Sequence, residues 1–105
     1  MKKIKILLTF DYELPLGKAN DYQRGLFAPA GKLIQLANRI GVPIVLFTDI
    51  CSAIKFKEWD YNNYYLPFKN QVGQALQEGH DLQLHIHPHW MGLLLLSPSI
   101  REQVP

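Results

Sequence analysis

Three short apolar runs, spaced by helix-length amphipathic stretches, constrain the fold of this 105-residue chain more than any other feature. The first, Ile4 to Phe10, is almost continuously apolar and rich in isoleucine and leucine. Such a run is short enough for a strand covered on both faces. The second, Pro43 to Asp49, has the same character and also ends in an acid. In the third, Leu82, Leu84 and Ile86 alternate with Asp81, Gln83, His85 and His87, the period-2 mark of a strand. Pro88 cannot donate to a sheet ladder, so the strand is expected to stop there and the chain to turn. Between the first two runs a helix is predicted from about Pro29 to Arg39, with Pro29 in its first turn and Gly41 as its stop. Ile50 to Phe56 reads as a short helix. A further helix is expected from a cap at Asn62 or Asn63 to about Gln77, with Pro67 in its first turn and Gly79 after its end. Leu14 to Gly25 reads as a loop. Strands joined by helices imply parallel pairing through right-handed crossovers, an α/β fold.

Composition narrows the class further. Hydrophobic content of 48% and charged content of 19% describe a folded globular chain. A net charge of +2, with no basic block, gives no reason to expect nucleic acid or an anionic membrane as partner. One cysteine, Cys51, permits no intramolecular disulfide, and a lone cysteine is more often a small core residue than a nucleophile. The basic N-terminus runs into Asp11 and Glu13 without a small-residue cleavage site, so it reads as a strand and not a signal peptide. With no stretch of ~20 apolar residues, a cytoplasmic protein is expected. Tyr61, Tyr64 and Tyr65 suit either a cleft lining or packing, and packing is the commoner use of such spacing.

All four histidines lie between Gly79 and Trp90. His80 sits at the start of the strand and reads as structural; His85 and His87 share a face near its end, and His89 follows the proline. Clustered imidazoles are raw material for a metal site. In a straight strand His85 and His89 would stand roughly 13 Å apart, so they share an ion only if the chain folds back at Pro88. The first run ends in Thr9-Phe10-Asp11-Tyr12-Glu13, whose two acids, if extended, point the same way roughly 7 Å apart. In a parallel sheet the ends of the first and third strands lie along one edge, where α/β folds place their chemistry. One carboxylate and two imidazoles can hold a divalent ion there, and the second carboxylate is free to act as a general base.

Thr9-Phe10-Asp11-Tyr12-Glu13, followed by Gly79-His80-Asp81 and the His85-(three residues)-His89 pair, resembles the first two motifs of the polysaccharide deacetylase family. The resemblance spans about Lys3 to Trp90. It implies a distorted (β/α) barrel, of which about three parallel strands with helical crossovers would be present in residues 1–90. It also implies a metal-dependent hydrolase that removes acetyl or similar acyl groups from a carbohydrate. Carried over by position, Asp11 would be the catalytic base, and Glu13, His85 and His89 the metal ligands. Glu13 stands one residue later than the family's usual second acid. His87 and Trp90 would be supporting groups or substrate contacts. The ion would be Zn²⁺ first, with Co²⁺, Ni²⁺ or Mn²⁺ acceptable to the same donors. The family's later motifs have no counterpart after Trp90, so a fragment or shortened relative is expected, with residues 91–105 an irregular apolar tail. Leu93 to Leu96 would cover an exposed sheet edge or be the unnatural terminus of a truncated reading frame, and exposed edges would favour self-association. A non-catalytic metal-binding or interaction module is the alternative.

Overall fold

The computed structural model describes residues 2–15 and 21–92. Its core is a three-stranded sheet, β1 (Thr9–Tyr12), β2 (Val45–Thr48) and β3 (Asp81–Leu84), in the order β1-β2-β3. Both pairings are parallel, and the register puts Phe10, Leu46 and Leu82 in one row and Tyr12, Thr48 and Leu84 in another. The α/β class expected from the strand–helix alternation is therefore present. The described residues form an open sheet, in which β1 and β3 each pair with β2 alone.

Helices α1 (Ala28–Ile40), α2 (Ile50–Trp59) and α3 (Leu66–Gln77) supply the crossovers. A turn of π-helix at Gln23–Phe27 leads into α1, and another at Tyr61–Tyr65 leads into α3. The sequence explains the boundaries. Pro29 and Pro67 stand in the first turns of α1 and α3, where a missing N–H costs nothing. Gly41 ends α1 at φ 72°, a left-handed conformation that glycine adopts without strain. The α2 cap is Asp49, whose carboxylate accepts the Ser52 backbone N–H. At the following helical segment the cap is Asp60, and the expected Asn63 is instead the donor to it.

The core lies between the sheet face carrying Phe10, Tyr12, Leu46 and Leu82 and the helical layer. Its centre is aromatic: the Phe56 and Tyr64 rings stand 4.1 Å apart, with Tyr22, Phe27, Phe68 and Trp90 against one or the other. Tyr64 is fully buried, so it belongs to packing and not to a cleft, and Cys51 is likewise a buried core residue. Tyr12 fastens β1 to α3 by donating its hydroxyl to Gln71 Oε1 at 2.6 Å.

The first strand differs from expectation. Ile4 to Phe10 was to be covered on both faces, yet the strand is Thr9–Tyr12, and Ile4, Ile6 and Leu7 are 87%, 81% and 71% exposed. Pairing with β2 decides the outcome: Val45 donates to Leu8 O, so the neighbouring strand begins only where Thr9 starts. Of the expected tail, residues 93–105 lie outside the described residues, as do residues 16–20 of the expected loop. Among the described residues no helix is long and apolar enough to cross a membrane.

Candidate metal centre

The sheet register brings three ionisable side chains to the same height. The last paired row is Tyr12, Thr48 and Leu84. The ladder continues one step, Asp49 N–H donating to Tyr12 O at 3.1 Å and His85 N–H to Thr48 O at 3.0 Å. Glu13, Asp49 and His85 thus form the next row. Strand alternation turns Glu13 and His85 away from Tyr12, whereas Asp49, the cap of α2, is buried with its carboxylate against Trp90. This is the C-terminal edge of a parallel sheet, where open α/β folds bind their ligands.

Here Glu13 Oε2 lies 3.4 Å from His85 Nε2, and His85 Nε2 lies 3.0 Å from His87 Nε2. Glu13 also contacts His87 Nε2 directly. One donor atom from each of Glu13, His85 and His87 falls within 4.8 Å of the others. Donors bound to one tetrahedral ion by bonds of ~2.1 Å sit about 3.3 Å apart, so the spacing fits a divalent cation. The chemistry also fits, since one carboxylate and two imidazoles are ordinary ligands of Zn²⁺ and its neighbours. Each side chain is about two-thirds buried, which restrains its rotamers and leaves one side open to solvent.

Asp11, the expected base, is not in this group but adjoins it. Its Oδ2 lies 3.9 Å from His85 Nε2, and its side chain is 56% exposed. That position lets it meet a water molecule or a substrate arriving at the cluster.

Of the ligands the resemblance implied, Glu13 and His85 converge and His89 does not. The third member is His87. The reason is local geometry: His85 and His87 are two apart in an extended segment and project to one side. After Pro88 the chain winds into a short helical turn, α4 (His89–Gly92), with Trp90 N–H donating to His87 O and Met91 N–H to Pro88 O. The turn carries His89 to an exposed position, its ring 5.7 Å from that of His87 and 5.0 Å from that of Trp90. The fold-back at Pro88 occurs, but does not bring His89 into the Glu13 group.

Trp90 is buried, with its ring 5.5 Å from that of Phe56, and it donates Nε1–H to Asp49 Oδ2 at 3.0 Å. It supports the site from behind and is not placed to touch a substrate. Asp49 is the residue that sequence reasoning left without a role. Burial pushes its carboxyl above the usual carboxylate range, against smaller opposing effects from His87, Ser52 and Trp90. The signal was present, because the second apolar run ends in an acid as the first does. His80 lies at the opposite end of β3, as expected for a structural residue. Its Nδ1 accepts the Ile44 N–H, and its Nε2 meets Asn38 Oδ1.

Comparisons with protein-family models, with curated proteins and with solved structures return no match for this chain.

Proposed function

We propose that the chain carries the metal-binding site of a hydrolase of the polysaccharide deacetylase type, acting on an acetylated or similarly acylated carbohydrate. The observation that supports this reading is the meeting of Glu13, His85 and His87 at the C-terminal edge of a parallel sheet, with Asp11 beside them. The three βα units would then be part of a distorted (β/α) barrel, a reading supported by their uniform parallel order and by the outer sides of β1 and β3, which are unpaired among the described residues. Glu13, His85 and His87 would hold the ion, Zn²⁺ or a similar cation, which supplies Lewis acidity for polarising an acyl carbonyl and acidifying water. Asp11 Oδ2 takes the water proton as general base, and its exposure gives it access to that water. The partly buried imidazoles and Glu13 fix the position at which the carbonyl must arrive, which is the orientation share of the rate.

A second reading is a non-catalytic metal-binding or interaction module. The observation favouring it is the exposure of Ile4, Ile6 and Leu7 ahead of β1 and of Leu84 and Ile86 at the far end of β3, with the outer sides of β1 and β3 unpaired among the described residues. Elemental analysis of the purified protein, paired with hydrolysis of acetylated oligosaccharides, separates the two. The enzymatic reading expects near-stoichiometric metal that His85→Ala and His87→Ala lose and His89→Ala keeps, with turnover that Asp11→Ala abolishes. Metal without turnover supports the module. Neither metal nor turnover, even after supplementation, rejects the enzymatic reading and the metal-binding module; the interaction module is then rejected if the chain is also monomeric in analytical ultracentrifugation.

A further inference from the structure

Asp49 occupies the centre of the row Glu13, Asp49, His85, yet its side chain does not join the two that converge. It is 2% exposed, and both its oxygens are engaged. Oδ1 accepts the Ser52 backbone N–H at 3.4 Å as the cap of α2, and Oδ2 accepts the Trp90 indole N–H at 3.0 Å. Capping needs only one oxygen, and serine or asparagine would serve as well. Packing needs only the indole ring, which Phe56 and Trp59 already flank at 5.5 and 6.3 Å. Neither role explains why the second oxygen meets a donor 41 residues away.

The histidine segment supplies a reason. Beyond Leu84, the His85 N–H bond to Thr48 O is the last backbone tie from this segment to the sheet among the described residues. His87 lies between that tie and Trp90. Without a second anchor the segment would rely on the His85–His87 hydrogen bond at 3.0 Å and on the contacts of both imidazoles with Glu13. The Asp49–Trp90 bond fixes the far end to the central strand.

Resting on the metal-site reading above, we infer that Asp49 and Trp90 are a positioning pair. Together they hold the His85–His87 segment over Glu13 so that the donors are assembled before a cation arrives. Neither residue touches the ion. Outer groups of this kind typically change metal affinity by about 10–100-fold when removed.

The test is titration of the metal-free protein with Co²⁺ alone, reading the dissociation constant and the visible ligand-field bands, with circular dichroism to monitor folding. Trp90→Phe keeps the packed ring and removes the N–H. Asp49→Ala removes the acceptor, whereas Asp49→Asn keeps one oxygen for the indole and gives up the longer Ser52 contact. The expected result is a loss of about tenfold or more in affinity and altered bands for Trp90→Phe and Asp49→Ala, with Asn largely restoring both. Wild-type affinity and bands in Trp90→Phe would overturn the inference. So would an Asn variant as impaired as the Ala variant, because Asp49 would then act by charge. If Trp90→Phe fails to fold, the Ala and Asn pair decides alone. Failure of the wild type to bind Co²⁺ removes the metal-site reading itself, a result distinct from a failure of the variants.

Discussion

Replacing His80 with alanine tests how the sheet is closed at the end opposite Glu13 and His85. His80 is buried, and its Nδ1 accepts the Ile44 backbone N–H at 3.1 Å, which requires the proton to sit on Nε2. That Nε2–H is then directed at Asn38 Oδ1, 2.6 Å away, and Asn38 donates in turn to the Glu78 carboxylate. One imidazole thus joins the start of β2, the start of β3 and the end of α1. In the alanine variant Asn38, which is exposed, returns to water at little cost. Ile44 is 2% exposed, so its N–H has no such recourse, and an unpaired buried donor costs about 1–3 kcal/mol. Lost ring contacts add to this, for a total of about 2–4 kcal/mol. In a domain of nearly this size each kcal/mol lowers Tm by roughly 4–8 °C. The comparison variant is His80→Asn, whose amide oxygen can replace Nδ1 as acceptor and should recover about half of the loss. Urea denaturation gives the free energies, and amide exchange at Ile44 reports the particular bond. Equal stabilities for the Ala and Asn variants, or unchanged protection at Ile44, would refute the assignment.

Two further outcomes follow from the proposed metal site and its surroundings. Zn²⁺ at a hundred times its dissociation constant should stabilise the fold by about 2.7 kcal/mol, seen as a rise in Tm that Glu13→Gln and His87→Ala remove; no shift in the wild type would contradict a site that binds only the folded state. Burial raises the Asp49 carboxyl, so its contribution to stability is whole below the ordinary carboxylate range and is lost as pH climbs through the raised folded value. Asp49→Asn should flatten that decline in unfolding free energy measured from acid to neutral pH, and parallel curves would refute the raised value.

Much of the fold was legible because local chemistry and long-range packing agree. Pro29 and Gly41 bracket α1 in the sequence as they do in space, and the apolar run after Pro43 becomes the central strand, whose two neighbours protect it. The first run misled because isoleucine and leucine record what a strand prefers to bury, not whether a neighbour reaches it. Pairing at Thr9 is a property of β2, which no local pattern in residues 4–10 carries. At the site, alternation and strand order already place Asp11 and Glu13 at the same edge as His85 and His87. The ligand role of His89 came from the resemblance, carried over by position, whereas the turn after Pro88 directs His89 away from Glu13. Asp49 was visible as an acid after a strand. Its bond to Trp90 was not, since it depends on how α4 settles against the aromatic core.

Glu13 and His85 follow the two outer strands, which share no backbone hydrogen bond, and they stand roughly seventy residues apart in sequence. An ion held between them would act as a reversible cross-link across the whole βαβαβ unit. Closing a flexible loop of that length costs on the order of 4 kcal/mol in chain entropy. An unfolded chain must meet that cost anew, and the folded sheet has already met it. His85 and His87 alone remain neighbours when the chain is unfolded, so they can catch a cation early but weakly. Full coordination would have to wait for β1 to align beside β2, which would make metal loading the last step of assembly.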